Sequence, residues 1–261
     1  MLLASAGLAC SMLRPKRSLT WHLVLQVEAS GPDLERTVHE TVGVIETRLN
    51  SFGVPGAQVQ PQGDRILINL PDVADRERLK KLITAAGRLE LVAVVGPSSP
   101  APVQTFTTKE EAEASLGGTV PANRRVLMYA DRNEPDVAGQ PVDIPKLKRW
   151  VVVEAPAIVN GSELRNASAI HVQGEDFQIH FTLKPAGAEK FGAWTGAHIN
   201  NYIGVVLNNE VKSIAYIKGQ IFDQGEISGR FTKQSAEDIA QVLNSGALPA
   251  PVKIVEEGAN K

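Results

Sequence analysis

Thr41–Asp75 reads TVGVIETRLNSFGVPGAQVQPQGDRILINLPDVAD, and the apolar period changes twice within it. Val42, Ile45, Leu49 and Phe52 recur at spacings of three and four, the apolar stripe of an amphipathic helix that Gly53 ends. Beyond the Val54-Pro55-Gly56 break, extended pieces at Ala57–Pro61 and Arg65–Leu70 flank Gln62-Gly63-Asp64. Ile66, Ile68 and Leu70 alternate, so this part reads as a hairpin. Asp72 or Asp75 then offers the cap of a second helix.

Working outward, Trp21, Leu23, Leu25 and Val27 alternate along a strand, and Ser30-Gly31-Pro32-Asp33 opens the helix that runs from about 33 to 52 through Leu34 and Val38. Downstream, Leu79, Leu82, Ile83 and Ala86 form a second helical stripe stopped at Gly87, and Leu89–Val95 reads as a further strand. The order β-α-β-β-α-β predicts a ferredoxin-like base within an α+β protein, over residues 20–97.

Gly96-Pro97-Ser98-Ser99-Pro100-Ala101-Pro102 has no large apolar residue and reads as a stiff connector, opening a Pro-rich linker and insertion over 98–150. Within it the pattern predicts a short helix near Lys109–Leu116, a strand at Arg125–Ala130 and a turn-rich stretch through Pro145; the strand Trp150–Glu154 follows. A second α+β, head-like unit is expected over 151–256. It comprises a strand at Phe177–Leu183, a helix from Pro185 carrying Ala188, Phe191, Thr195, Ile199 and Tyr202, and a hairpin of Ile203–Leu207 with Val211–Ile217 around Asn208-Asn209. A Thr232-capped helix stopped by Gly246 and a strand at Val252–Glu256 complete it. That strand has either base or head as its partner, and residues 257–261 form a tail.

The 27 basic and 29 acidic residues nearly cancel, which argues against nucleic acid as a partner, and 43% hydrophobic content suffices for a sizeable core. Cys10 is the only cysteine, so no intrachain disulfide or cysteine-based zinc site forms. No run reaches the roughly 20 apolar residues of a membrane span. Residues 1–13 are apolar but short, with Arg14, Lys16 and Arg17 after them instead of before; 1–19 is expected to be a tail or a degraded anchor.

Candidate chemistry is sparse. His22, His39 and His180 stand apart, without HExxH or HxH spacing, and read as surface or hydrogen-bonded structural residues. There is no P-loop, GxGxxG or GxSxG, and Glu110, Glu111 and Glu113 read as a solvated helix face. No cofactor or metal is expected.

Two long stretches resemble SecD, the protein-export membrane subunit that pairs with SecF beside the bacterial translocation channel. In Thr41–Asp75, Arg48 and Gly53 match the family's R-x(4)-G, and Gly63, Asp64, Arg65, Ile66, Leu70 and Pro71 match G-D-R-I-x-V-x-L-P-G, with Asp72 in place of the last glycine. Phe181–Phe191 resembles F-x-L-(N/T)-x-x-G-A-x-K-F through Gly187 and Phe191. Ile227–Thr232, with Gly229, and Ser245–Pro251, with Gly246, Pro249 and Pro251, resemble the closing run of the same region. The likeness covers roughly 22–95 and 151–257. It departs at Arg17–His22, which lacks the family's glycine pair, at Asn209 in the hairpin, and at Ser213-Ile214-Ala215, where a proline is absent.

The matched residues are turn and packing devices, so the resemblance implies a shape more directly than a chemistry. It implies a non-enzymatic, extracytoplasmic module of P1 type, base plus head, on the periplasmic side of the inner membrane. Its implied partners are unfolded preprotein, SecF and the Sec channel. The family's membrane helices coupled to proton flow have no counterpart in these residues, so the chain alone is not expected to conduct protons. The least packable connectors, Gly96, Pro97, Pro100 and Pro102 with a second crossing near 148–157, are the expected hinge. A stand-alone binding or scaffold protein without export activity is the alternative. A hydrolase reading would need His171 and His180 to meet acidic residues in one pocket.

Overall fold

The computed structural model describes residues 18–130, 148–173 and 176–260. The elements are, in chain order, β1 (Leu19–Val27), α1 (Leu34–Ser51), β2 (Gln58–Gln62), β3 (Arg65–Pro71), α2 (Arg76–Thr84), β4 (Leu89–Ala93), α3 (Lys109–Ala114), β5 (Arg124–Ala130), β6 (Lys148–Glu154), β7 (Val159–Asn160), β8 (Leu164–Gln173), β9 (Asp176–Leu183), α4 (Pro185–Ala197), β10 (Tyr202–Leu207), β11 (Glu210–Tyr216), β12 (Gln224–Phe231), α5 (Lys233–Asn244) and β13 (Val252–Ala259). They build an α+β protein with three sheets, ordered β13-β1-β3-β2, β6-β5-β11-β10-β4-β7 and β12-β9-β8. Among the described residues no helix is long and apolar enough to cross a membrane.

The local chemistry of the base follows from its residues. Gly53 takes φ +80 at the end of α1, with Val54 N donating to Leu49 O at 2.9 Å, and Gly63 takes φ +65 in the β2–β3 turn. Asp75, not Asp72, caps α2 by accepting from Arg78 N at 2.9 Å, whereas Asp72 pairs with Arg76. Trp21, Leu23 and Leu25 of β1, Ile66, Ile68 and Leu70 of β3, and Ile45, Leu49, Leu79 and Ile83 of the helices form one buried core. The Trp21 indole donates to Pro71 O at 2.8 Å inside it.

The fourth strand of this sheet is a correction to the reading of the sequence. Leu89–Ala93 does not close the base; it pairs antiparallel with β10 and with β7. The place beside β1 is taken by β13, Trp21 lying opposite Ala259 and Val27 opposite Val252. The reason lies in burial. β4 is covered on both faces, Leu89, Leu91, Val92 and Ala93 all being buried, and it needs neighbours on both edges. β13 is mostly exposed, with Val252 buried, and suits a sheet edge. The base is thus a discontinuous βαββα plus β, and everything from β4 to α5 is inserted between its last helix and its last strand.

The head has two sheets and two cores. One core joins β4, β8, β9, β10, β12, α4 and α5 through Leu91, Ile179, Phe181, Leu183, Phe191, Ile203, Ile227 and Leu243; the other joins the opposite face of the six-stranded sheet through Val92, Leu127, Val151, Val153, Val206 and Val211. The second unit is therefore not a tandem copy of the base. Its strands are shared among all three sheets, and β5, from the expected 98–150 insertion, pairs along its full length with β6 within the same sheet as β4. Asn208 and Asn209 turn the β10–β11 hairpin at φ 51 and 67. The helix α4 stops at Ala197, short of the expected Ile199 and Tyr202, with His198 as its C-cap. The turn-rich stretch 131–147 lies outside the described residues.

Candidate functional site

Only two segments connect base and head: 85–88, between α2 and β4, and 245–251, between α5 and β13. They run side by side, Leu248 N donating to Ala86 O at 2.8 Å. Between them and α1 sits Arg48, 4% exposed. Nη1 donates to Leu82 O at 3.0 Å, Ile83 O at 3.2 Å and Ala85 O at 2.5 Å, Nη2 to Gly246 O at 3.0 Å, and Nε to Ser245 Oγ at 3.0 Å. Ser245 Oγ in turn donates to Val242 O at 2.7 Å.

No carboxylate lies within ion-pair distance of Arg48 among the described residues. Its charge is met instead by the carbonyl ends of α2 and α5 and by its place in the last turn of α1, so three helix C-termini converge on one cation. Burial pushes its pKa down to about 10, which leaves the guanidinium charged at neutral pH. Gly87, at φ +70, faces it: a Cβ there would stand 2.9 Å from Arg48 Nη2 and 3.1 Å from Gly246 O. Gly246, at φ +87, ends α5 on the other side.

A cleft opens on either side of this joint. One, of about 630 Å³, is lined by Glu90, Arg125, Asn160 and Asn208 of the head and by Arg88, Ala247, Leu248, Ala250 and Pro251 of the two crossings. Arg125 Nη2 donates to Glu90 at 2.9 Å, and its Nε has no hydrogen-bond partner. The other, of about 390 Å³, lies between α2 and α5 and is spanned by a two-pronged ion pair. Arg78 Nε and Nη2 donate to Asp238 Oδ1 at 2.9 and 2.5 Å, and Nε reaches Oδ2 at 3.2 Å. The Arg78 guanidinium also lies 5.0 Å from the centre of the Phe52 ring. Its pKa is raised, first by the hydrogen bond to Asp238.

Of the residues singled out in the sequence, Arg48 and Gly246 meet at this joint, and Pro249 and Pro251 lie in the second crossing, where Pro251 O accepts from Glu28 N at 2.8 Å. Gly53, Gly63, Asp64, Arg65 and Pro71 serve the base alone. Asp64 accepts from Gln26 Nε2 at 2.8 Å, and Arg65 donates to Gln26 Oε1 at 3.2 Å. Gly187 and Phe191 belong to α4, where a Cβ at Gly187 would stand 2.8 Å from Glu163 Cβ; Gly229 lies in β12.

Gly96, Pro97, Pro100 and Pro102, the expected hinge, lie between β4 and β5 and do not join base to head. Their segment leaves β4 and folds onto the head: Ser99 N donates to Asn200 O at 2.8 Å, and Tyr202 OH to Ala101 O at 2.7 Å. The stretch 148–157 likewise runs from β6 toward β7 within the head. A proline-rich composition forbids regular backbone pairing but does not say which units the segment separates.

Beside it the head presents apolar side chains to solvent. Ile199 and Tyr216 are 48% and 43% exposed and Phe222 is 63% exposed, Phe222 lying against Gly192 of α4. Trp194 and His198 stack at 4.2 Å in the same helix. The sequence reading missed Phe222; its only signal was an aromatic residue in a loop without a periodic partner.

His180 and His22 make pairs across neighbouring strands. His180 faces Glu226 across β9 and β12 at 3.0 Å, and His22 contacts Asn260 Oδ1 at 2.9 Å. Neither cleft at the joint is lined by a histidine, and no group of three or more metal-ligating side chains occurs among the described residues.

The geometry defines a class first: a two-part α+β module with a mount, an inserted head and a single charged joint. Comparison with known proteins supplies the family. A family model described as the SecDF P1 head subdomain matches residues 138–250, and one described as the N-terminal part of the P1 domain of protein translocase subunit SecDF matches 38–96. The protein translocase subunit SecD of Koribacter versatilis is 34% identical over 227 residues, covering 85% of this chain and 39% of that protein; that of Aquifex aeolicus is 32% identical over 225 residues, with the same coverage. The crystal structure of SecDF in its super-membrane-facing form superimposes with a TM-score of 0.69 at 27% identity, over 95% of this chain and 32% of that one. A second structure, described as SecDF, a membrane component that enhances protein export, gives 0.65 at 28% identity, over 90% of this chain and 98% of that one. The chain belongs to the SecD family of protein translocase subunits and carries its P1 region, base and head. It spans about two fifths of the length of the curated relatives it matches.

Proposed function

We propose that this chain acts outside the cytoplasm, on the periplasmic side of the inner membrane, as the part of a SecD-like subunit that assists preprotein translocation or release by binding and conformational change, and not as an enzyme. The observation that carries the reading is the architecture of the joint. A whole two-sheet head hangs from the base by two adjacent crossings, with clefts on both sides. A body so attached can turn as a unit while both cores stay intact.

Unfolded preprotein is the ligand on this reading, and the exposed Ile199, Tyr216 and Phe222 give the head apolar contacts for a chain that has not buried its own side chains. The segment 96–102 braces that end of the head, and the turning point is assigned to 85–88 and 245–251. SecF and the Sec channel are the expected partners.

The test is capture. With a photo-reactive residue at position 222, the chain expressed in cells that carry a stalled secretory preprotein is expected to cross-link to that preprotein, and affinity purification is expected to recover SecF. Recovery of neither supports the alternative of a stand-alone binding or scaffold protein without export activity.

A further inference from the structure

Two arginines of the base reach across to the head, and they are held in opposite ways. Arg48 is buried, and its five acceptors are four main-chain carbonyls and one hydroxyl belonging to the crossings and the helix ends that lead into them. Those groups all lie at the joint itself. Arg78 is partly exposed at 28%, and its partner Asp238, at 24%, sits in the second turn of α5, part of the body of the head. That contact spans an open cleft between α2 and α5. Gln234 Nε2 donates to the same Asp238 oxygen at 3.0 Å, steadying the carboxylate from within α5.

We propose that Arg78–Asp238 is a latch that holds the head at this angle, and that Arg48 is the pin about which the head turns when the latch opens. The inference rests on the reading of a moving head given above. The two roles follow from the two environments. A buried cation bound to five acceptors cannot leave without stranding all of them, whereas a partly solvated ion pair shifts an equilibrium by at most about five-fold and is screened by salt. A pin has to persist and a latch has to yield. The aliphatic side chains of Leu82 and Val242 beside the pair are already buried, so the pair closes a seam that is dry at its base and wet at its rim.

Electron-spin distance measurements on the full chain test both roles. In a Cys10→Ser background, labels at Glu46 of α1 and Lys218 of the head report the head angle, and labels at Ser51 and Ala247 report the neighbourhood of Arg48. Asp238→Asn and Arg78→Met are each expected to raise the population at a second Glu46–Lys218 distance about five-fold, as does 1 M salt on the unaltered pair. The double charge swap Arg78→Asp with Asp238→Arg is expected to restore the starting distribution. The Ser51–Ala247 distance is expected to stay fixed throughout. Distributions that superimpose in all variants, or a swap that restores nothing, overturn the latch; a Ser51–Ala247 distance that changes as much as the far one overturns the pin. These distances are read on the chain by itself, so their failure leaves the capture of SecF and preprotein standing. Failure of that capture, with the distance shifts present, counts against the export reading and not against the latch.

Discussion

The base and the head solve the problem of burial differently. The base is one sheet with two helices on it and a single core in which Trp21, Leu23, Leu25, Ile66, Ile68 and Leu70 are at most 1% exposed. The head spreads its apolar residues over two cores, and of the large apolar side chains exposed among the described residues, Ile170, Val172, Ile199, Tyr216 and Phe222 are in the head and only Val255 in the base. On the proposed reading, a mount gains from being closed, whereas a head that binds another chain needs apolar surface left over. The closure of the base is also late in the chain, because β13 follows the entire head and pairs with β1 from the opposite end of the sequence. Such distant pairing is slow to form, so the head is expected to fold before the base sheet is complete.

The difference can be broken or sharpened by experiment. The largest effect is expected from deleting residues 252–260, which strips β1 of a neighbour and opens the core at Val252. Trp21 is the only tryptophan of the base, while Trp150 and Trp194 belong to the head. Fluorescence of single-tryptophan variants is expected to show Trp21 exposed and the other two unchanged; a joint loss of all three signals makes the chain one cooperative unit. Arg48→Met comes next. It leaves buried carbonyls at both crossings without a donor and is expected to cost roughly 3 kcal/mol in urea unfolding, with Arg48→Lys recovering only part of it because one ammonium cannot reach five acceptors. A cost within the range of a surface substitution excludes Arg48 as the centre of the joint.

Gly87→Ala is expected to cost about 1–2 kcal/mol, since alanine at φ +70 is strained and its methyl meets Arg48 and Gly246. The smallest effect is confined to acid and to the head. Desolvation works against the Glu163 carboxylate, but the Lys190 ammonium and the Asn160 N–H outweigh it and hold its pKa below the usual carboxylate range. Its contribution is therefore complete above that range and lost as pH falls through it toward the folded value. Glu163→Gln is expected to lower head stability by at most about 1 kcal/mol at neutral pH, with the two proteins converging in thermal unfolding as the carboxylate becomes protonated in acid.

Much of the base was legible because its signals are local. The stripes at Val42–Phe52 and Leu79–Ile83, the alternation in β1 and β3, and Gly53 and Gly63 each act within a few residues. Which strand lies beside β1 was not legible, because Leu89–Val95 and Val252–Glu256 both read as strands, and partners are chosen by which faces become buried across the whole chain. At the joint, Arg48 did carry a sign in the sequence: it falls on the same helical face as Ile45, Leu49 and Phe52, where a charge is out of place unless it is buried with partners. Arg78 and Asp238 carried none, since each lies on an ordinary polar helix face and only the fold brings them together.

Native-state hydrogen exchange on the full chain, followed amide by amide in rising urea, tests the discontinuous base and its inserted head most directly. Ladder-bonded amides of Val252–Ala259 are expected to exchange through the same opening as those of Leu19–Val27 and Arg65–Pro71, and those of Leu89–Ala93 through the opening of Tyr202–Leu207. If Leu89–Ala93 opens with Leu19–Val27 while Val252–Ala259 opens with the head, the base is closed by β4 after all and the joint at Arg48 is not where the two parts meet.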